Sequence, residues 1–280
     1  MITIKNLTFG YFKQKMLFKD LDLGLREGHI YGLLGKNGTG KTTLLKIITG
    51  LCFPKGGEVS TMDYPAPLRQ AGMLENLFFL TEEIFIPHLK IKDYVKANAP
   101  FYKHFNLEQF NEYLSLFDMD NQNDYLTKMS LGQKKKVMIC FALACNTPVL
   151  IMDEPTNGLD IPSKSTFRKI LAMAADESKT IVISTHQVRD LHSLIDAVII
   201  LEQGKILLNA DIDTIARQLL FKVNEDNNIN EADILYKEES LKGDVVVAIN
   251  KEHQESKVDI ELLFNAVMNH PQKINEIFHA

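Results

Sequence analysis

The run GKNGTGKT at residues 35–42 constrains the fold of this chain more than any other segment. An apolar stretch at residues 30–34 precedes it, and a segment of helical periodicity, KTTLLKIIT, follows it. The order strand, glycine-rich turn, helix matches GxxxxGK[ST], in which backbone N–H groups and a helix N-terminus surround phosphate oxygens. The run therefore predicts a phosphate-binding loop that enters a helix, and Gly50 is expected to end that helix as a left-handed cap.

The side chains of this loop have separate predicted tasks. Lys41 is expected to reach the β- and γ-phosphates of a nucleoside triphosphate, and the Thr42 hydroxyl is expected to ligate Mg²⁺. The other candidates for nucleotide contact in the loop are Gly35, Lys36, Asn37, Gly38, Thr39, Gly40 and Thr43. A glycine-rich turn with an exposed lysine is the alternative, which the flanking strand and helix disfavour.

Composition narrows the class of protein. A length of 280 residues with 45% hydrophobic content suffices for one large domain, or for one domain with an appendage. A net charge of -5 provides no basic surface for nucleic acid, so nucleic acid is not an expected partner.

Cys52, Cys140 and Cys145 lack CxxC spacing and lie among apolar or small residues, which favours a reducing cytosol. A signal peptide is not expected, because residues 1–11 alternate like a strand and lack a charged start followed by an apolar run. A transmembrane segment is not expected, because no stretch approaches roughly 20 apolar residues.

Short apolar runs alternate with segments of helical periodicity, which is typical of an α/β fold on a largely parallel sheet. The predicted core strands are residues 30–34, 149–152, 180–184 and 197–201. A helical insertion is predicted from the helical spacing at residues 91–99 and 107–117. Beyond residue 208, strands at 234–236 and 245–249 and a closing helix at 258–268 predict a small α+β appendage, with a polar loop at 224–233.

Two adjacent carboxylates end one predicted core strand. Asp153 and Glu154 follow the apolar residues 149–152, at the sheet edge where α/β proteins bind ligands. Asp153 is expected to hold Mg²⁺ directly or through water, and Glu154 to act as general base on the attacking water. The alternative is a solvated acidic turn before Pro155, which the presence of a phosphate loop in the same chain disfavours.

Three further motifs follow in order: MSLGQ at residues 129–133, TNGLD at 156–160 and STH at 184–186. With the phosphate loop and the acidic pair, they resemble the ABC ATPase family over residues 1–209. The resemblance implies a P-loop NTPase with a RecA-like parallel core sheet, an N-terminal antiparallel β subdomain and a helical subdomain inserted at about residues 87–145. Residues 210–280 would form a C-terminal accessory region, and the cofactors would be ATP and Mg²⁺.

The MSLGQ motif has a physical basis of its own. Ser130 and Gln133 form the pattern of a capping box at the start of an amphipathic helix that runs to about Cys145. The resemblance implies that Ser130, Gly132 and Gln133 bind the ATP held by a second subunit. Leu131 stands where the usual LSGGQ has its first glycine, and activity is expected to survive this departure. The lysine run at 134–136 is expected to be a solvated helix face.

The resemblance implies further roles. His186 would contact the γ-phosphate and orient Glu154 and the attacking water. Asp160 would communicate between subunits, or would simply cap the helix that begins at Ile161 and Pro162.

Two of the implied sites have open alternatives. Tyr11 would stack on adenine, but Phe9 and Phe12 leave the register open, and a packed core aromatic is the alternative. The segment FLTEEIFIP at residues 79–87 contains no glutamine where the family places one that bridges Mg²⁺ and the membrane partner. Glu82 is the best positional match, with Thr81 next.

The function implied is ATP hydrolysis that powers transport through a separately encoded transmembrane permease, by a homodimer or heterodimer of ATPase subunits at the cytoplasmic face of the membrane. Export is favoured, because the Glu-type loop and the closing helix resemble bacterial ABC-2 exporter ATPases. The alternative is a soluble ABC ATPase acting in translation or DNA repair. Such relatives usually carry paired domains, coiled-coil insertions or cysteine-rich modules, and the sequence has none of these. A non-enzymatic binder would need a broken acidic pair, and this pair is intact.

Overall fold

The computed structural model describes residues 2–12, 15–186, 193–224, 229–239 and 243–279. The strands in these ranges are β1 Ile2–Phe9, β2 Phe18–Leu25, β3 His29–Leu34, β4 Gly56–Thr61, β5 Tyr64–Pro65, β6 Leu77–Leu80, β7 Val149–Asp153, β8 Thr180–Thr185, β9 Ala197–Glu202, β10 Lys205–Asp211, β11 Leu219–Asn224, β12 Ile234–Glu238 and β13 Asp244–Ile249. The helices are α1 Lys41–Ile48, α2 Ala71–Leu74, α3 Ile91–Asn98, α4 Leu107–Leu116, α5 Leu131–Ala144, α6 Ile161–Ala174, α7 Ile212–Gln218, α8 Ile260–Asn269 and α9 Pro271–His279.

The central layer is a six-stranded sheet in the order β10-β9-β3-β8-β7-β6. Its strands are parallel except for β10, which pairs antiparallel with β9. Every residue of β7 and β8 is buried, as expected for strands covered on both faces. Because β3, β8 and β7 are parallel neighbours, the loops that follow them meet at one edge of the sheet, where Asp153 lies opposite Ser184.

A second, four-stranded antiparallel sheet in the order β2-β1-β4-β5 lies against one face of this layer. Alternate residues of β1, among them Ile2 and Ile4, are buried in a cluster that also contains Leu44 of α1 and Val182 of β8. The helix that follows the glycine-rich loop is thus enclosed between two sheets. The predicted N-terminal antiparallel β subdomain and parallel core sheet are confirmed.

Helices α3, α4 and α5 pack on the opposite face around a cluster of aromatic rings. Phe141 of α5 is fully buried, and its ring lies 5.2 Å from the rings of both Tyr94 and Phe105 and 5.8 Å from that of Phe78 in β6. The helices predicted at residues 91–99 and 107–117 are present as α3 and α4. This packing fixes the position of α5 and, with it, the MSLGQ segment at its N-terminus.

The C-terminal region contains a three-stranded antiparallel sheet in the order β11-β13-β12, against which α8 packs, while α9 packs against β10. The strands predicted at 234–236 and 245–249 and the helix predicted at 258–268 are present as β12, β13 and α8. Strand β11 and helix α9 were not predicted. Part of the polar segment at 224–233 lies outside the described residues. The apolar cluster of the helical face continues into this sheet through Phe221, Leu235 and Val247.

Two compositional expectations concern the whole chain. Within the described ranges, no helix has the length and apolar character that crossing a membrane requires. The three cysteines are free thiols: Cys52 is half-buried, and Cys140 and Cys145 are buried. Burial raises the pKa of the Cys140 and Cys145 thiols above the usual range, so both act as small apolar core residues.

Candidate active site

The glycine-rich loop joins the end of β3 to the start of α1 in a conformation that two glycines permit. Gly40, directly before α1, has a φ of 106°, which disfavours any side chain. A Cβ on Gly35 would lie 2.4 Å from the Leu201 carbonyl oxygen of the neighbouring strand β9. The Thr39 hydroxyl donates a hydrogen bond to the Lys36 carbonyl at 2.9 Å, which holds the turn closed.

Lys41 is the first residue of α1, directly after this loop, and is only 7% exposed. Its ammonium donates hydrogen bonds to the carbonyl oxygens of Gly35 at 2.8 Å and of Lys36 at 3.3 Å. Burial lowers the pKa of Lys41, while the nearby carboxylates of Glu154 and Asp153 act in the opposite direction. A buried cation that donates to backbone carbonyls can exchange those partners for phosphate oxygens.

The loop and the acidic pair meet directly. The Thr42 hydroxyl donates a hydrogen bond of 2.6 Å to Oδ2 of Asp153, and the Ser184 hydroxyl donates to the other carboxylate oxygen, Oδ1. These oxygens are the ligand type that Mg²⁺ prefers. In the described part of the chain, no group of three or more His, Cys, Asp or Glu side chains could hold a metal alone. That limited set fits Mg²⁺, which is commonly bound by one or two carboxylates together with substrate phosphates and water.

Glu154 lies beside Asp153 but its side chain is held differently. The residue is 6% exposed, and its Oε1 lies 2.8 Å from Nδ1 of His186, which follows β8. Its backbone N–H donates to the Ser184 carbonyl and hydroxyl oxygens at 3.1 and 3.2 Å. A carboxylate held by an imidazole at the mouth of a cavity can accept a proton from a bound water.

A cavity of about 410 Å³ is lined by residues of both the loop and the acidic pair. The predicted residues that line it are Tyr11, Asn37, Gly38, Gly40, Lys41, Thr42, Thr43, Glu82, Asp153 and Glu154. Gly35, Lys36 and Thr39 belong to the loop but not to the lining. Lys15 and Leu17 also line the cavity and were not predicted. The feature of the sequence that could have indicated Lys15 is its positive charge a few residues after the end of β1. The arrangement offers a cation and backbone N–H groups on one side and carboxylates on the other, which suits a polyphosphate with a divalent cation.

Tyr11 lies at the edge of this cavity. The residue is 43% exposed, its ring contacts the Phe9 ring edge-on with the centroids 5.1 Å apart, and its Oη lies 3.0 Å from the Thr43 hydroxyl. Phe9, at 6% exposure, is the core aromatic, and Phe12 is 85% exposed. The alternative of a packed core aromatic is therefore wrong for Tyr11, whose ring is accessible to a flat ligand group.

Of the two candidates in the loop at residues 79–87, Glu82 faces the cavity. Its Oε1 accepts a hydrogen bond of 2.9 Å from the Asn157 side-chain amide. The Thr81 hydroxyl instead donates to the Glu83 carbonyl at 2.6 Å, and Thr81 lines a separate groove. The positional match of Glu82 thus agrees with its place beside Asp153 and Lys41.

The capping box predicted at the start of α5 is present. The Gln133 N–H donates to the Ser130 hydroxyl oxygen at 3.2 Å, and the Ser130 N–H donates to Gln133 Oε1 at 2.9 Å. Ser130, Gly132 and Gln133 do not line the cavity of their own chain. Ser130 is exposed, and Leu131 is 67% exposed at the same helix end. This N-terminus is available to a ligand or partner outside the chain.

Asp160 is the N-cap of α6. Its Oδ1 accepts a hydrogen bond of 2.8 Å from the Ser163 N–H, and hydrogen bonds from Ser163 lower the pKa of this carboxyl. Ile161, the first residue of the helix, is 83% exposed. The capping interpretation is confirmed, and the role between subunits stays a prediction.

The expected solvated face at residues 134–136 is wrong for its central lysine. Lys135 is 3% exposed, and its ammonium donates to the carbonyl oxygens of Glu154 at 2.7 Å and of Asn157 at 2.9 Å. Lys135 precedes the buried residues Met138 and Ile139 by three and four positions, so it shares their helix face. The burial of Lys135 could have been predicted from that spacing, but the three consecutive lysines favoured an exposed face.

Comparisons with known proteins were consistent with this geometry. The family profile described as ABC transporter matches residues 18–157 of the chain. An uncharacterized ABC transporter ATP-binding protein of Bacillus subtilis (strain 168), YdbJ, is 30% identical over 247 residues, covering 85% of this chain and 80% of YdbJ. The bacitracin transport ATP-binding protein BcrA of Bacillus licheniformis is 30% identical over 233 residues, covering 81% of this chain and 76% of BcrA.

Solved structures show the same fold. The structure of the ATP-binding subunit of an ABC transporter aligns with a TM-score of 0.69 and 25% identity, covering 77% of this chain and 92% of that one. A bacterial ABC transporter cassette solved as a dimer aligns with a TM-score of 0.65 and 24% identity, covering 75% and 98% of the two chains. With the profile match and the relatives at 30% identity, these findings define the family. The chain belongs to the ABC transporter family and is an ATP-binding, ATP-hydrolysing subunit.

Proposed function

We propose that this ATPase hydrolyses ATP in the cavity between residues 35–42 and the Asp153–Glu154 pair, and that this reaction powers export through a separately encoded permease. The observation that carries the proposal is the direct contact of the Thr42 hydroxyl with the Asp153 carboxylate, beside the buried ammonium of Lys41. It brings the groups for phosphate and cation binding to the same edge of the sheet as Glu154. In this proposal residues 1–209 are the ATPase unit and residues 210–280 are an accessory region.

The roles within the cavity follow from charge and position. Lys41 and the backbone N–H groups of the loop hold the β- and γ-phosphates, while the exposed Tyr11 ring stacks on adenine. Thr42, Asp153 and Glu82 provide oxygen ligands for Mg²⁺. When bound, Mg²⁺ supplies neutralisation of the charge that develops on the phosphates.

Glu154 accepts the proton of the attacking water, and His186 orients that carboxylate. The 2.8 Å separation between His186 Nδ1 and Glu154 Oε1 supports this division of roles. His186 would also contact the γ-phosphate from its place beside Glu154, although it does not itself line the cavity.

The cavity is half of a complete site in this proposal. Ser130, Gly132 and Gln133 lie at an exposed helix N-terminus, and a helix N-terminus attracts phosphate. They would contact the ATP held by a second subunit, either another copy of this chain or a close relative, and Asp160 would lie near that contact. ATP binding then favours the closed pair, and hydrolysis reopens it.

The permease would dock in a groove of about 620 Å³ between the helical segment and the core. Leu51, Phe101 and Arg69 line it, and the first two are 47% and 70% exposed. Exposed aromatic and aliphatic side chains beside an arginine are typical anchors of a protein interface. Docking there would place the chain at the cytoplasmic face of the membrane, with Thr81 and the Glu82 loop at the junction of groove and cavity.

Replacing Phe101 by aspartate tests this docking. We expect the fraction of tagged chain that co-purifies with its permease in detergent extracts to fall about tenfold or more, because a charge would enter an apolar interface. ATP hydrolysis by the isolated subunit should stay unchanged, since Phe101 does not line the ATP cavity. Met173→Asp is the matched control, because Met173 is 46% exposed on α6. Equal permease recovery for Phe101→Asp and wild type would contradict docking in this groove.

A further inference from the structure

Lys135 is a buried cation that the mechanism above leaves unused. It lies in the second turn of α5, and it is 3% exposed. Its ammonium donates hydrogen bonds to the carbonyl oxygens of Glu154 at 2.7 Å and Asn157 at 2.9 Å. Burying an ammonium is costly unless its donors are satisfied, so these two contacts fix both the lysine and the segment that supplies the carbonyls.

The backbone that Lys135 holds has an uncommon conformation. Glu154 has a φ of 47°, which lies in the left-handed region that residues other than glycine, asparagine and aspartate seldom adopt. The Glu154 N–H donates a hydrogen bond to the Ser184 carbonyl, and the Lys135 ammonium donates one to the Glu154 carbonyl. Such a conformation persists only where surrounding contacts determine it. Both neighbours therefore set the direction in which the Glu154 side chain leaves the backbone.

The same segment connects to the cavity by a second route. Asn157, whose carbonyl binds Lys135, donates its side-chain amide to Glu82 Oε1 at 2.9 Å. A Cβ on Gly132 would lie 3.3 Å from the Gly158 carbonyl oxygen, so the first turn of α5 packs closely on this segment. Helix α5 is thus connected to Glu154 through the carbonyl that Lys135 binds, and to Glu82 through Asn157.

We propose that Lys135 is a positioning residue for ATP hydrolysis: it holds the backbone of Glu154 and Asn157 so that the Glu154 carboxylate points at the attacking water. The inference rests on the role proposed for Glu154. It also gives a physical connection between the two halves of the dimer. Ser130 would sense the ATP of the second subunit, and Lys135, on the same helix, sets the geometry of the catalytic carboxylate in its own subunit.

Lys135→Met removes the ammonium and keeps a side chain of similar shape. We expect kcat for ATP hydrolysis to fall about 10- to 100-fold, because a small misplacement of a catalytic group has effects of this size. KM and the ATP dissociation constant should change by less than about threefold, since Lys135 does not line the cavity. Lys135→Gln, which retains an N–H donor, should recover most of the lost kcat.

Lys134→Met is the matched control, because it removes the same charge from the neighbouring, partly exposed position. It should match wild type in kcat, KM and melting temperature. A merely structural role for Lys135 predicts instead that ATP affinity and melting temperature fall together with kcat and that glutamine gives no recovery. That result, or a wild-type kcat in Lys135→Met, would overturn the proposal.

Glu154→Gln measured in parallel separates failure of the positioning role of Lys135 from failure of the role proposed for Glu154. Inactive Glu154→Gln with a normal Lys135→Met overturns only the positioning role. An active Glu154→Gln overturns the role proposed for Glu154 itself. If Lys135→Met does not fold, Lys135→Gln carries the test: the proposal then requires a kcat about two- to fivefold below that of wild type at unchanged KM, and a wild-type kcat overturns it.

Discussion

Glu154→Gln is expected to bind ATP as wild type does and to lower kcat by about 10²- to 10⁴-fold, the usual contribution of a general base. Glutamine has the shape of glutamate, and its amide can still reach Nδ1 of His186, so the 6% exposed site should keep its packing. The amide cannot accept a proton from water at neutral pH. The loss should therefore fall on the chemical step and leave the binding of ATP unaffected.

The measurement pairs steady-state ATPase assays with ATP titration on the same preparation. Glu177→Gln is the control, because it makes the same chemical change at an exposed position in the loop before β8. Activity near wild type in Glu154→Gln, in a preparation free of contaminating ATPases, would show that another group activates the water. A parallel loss of ATP affinity would show that Glu154 acts in binding rather than in catalysis.

Lys41→Ala is expected to weaken ATP binding by about 1.5–3 kcal/mol, roughly 10- to 100-fold in Kd, because hydrogen bonds to charged groups have this value. Lys41 is 7% exposed, and its ammonium donates a hydrogen bond of 2.8 Å to the Gly35 carbonyl. Its removal takes away both the cation proposed to bind the phosphates and the hydrogen bond to the Gly35 carbonyl within the loop. The buried position makes the electrostatic contribution larger than that of a surface lysine.

Isothermal titration with ATP and Mg²⁺ checks this prediction. Lys46→Ala provides the control, because it removes a lysine from the last turn of the same helix, away from the cavity. Lys46→Ala should bind ATP as wild type does. An unchanged Kd in Lys41→Ala would count against the phosphate loop as the site of binding.

The parts of the site that the sequence predicted are those fixed by local backbone geometry. The residues 35–42 form a loop because a strand and a helix flank them, and Asp153 follows a strand whose burial is evident from its apolar run. Parallel strands end at a common edge, so the meeting of loop and carboxylates followed from the fold class. The capping box of Ser130 and Gln133 is likewise a local pattern.

The parts that were missed depend on contacts between segments far apart in the chain. Lys135 is buried because the carbonyls of Glu154 and Asn157, about 20 residues later, accept its donors. The hydrogen bond between Asn157 and Glu82 spans 75 positions. Strand β11 has no turn signal between it and α7, and its apolar residues Leu219 to Phe221 fit a buried helix end equally well.

In the proposed mechanism the cavity is half of a site, which Ser130 and Gly132 of a second subunit complete. Specific ATPase activity across a dilution series, with molar mass followed by light scattering, tests it most directly. We expect activity per chain to rise with protein concentration and to follow the fraction of dimer, or, for a heterodimer, to appear only when the partner subunit is added. Activity per chain that stays constant on dilution, from a species that scatters as a monomer, would contradict it.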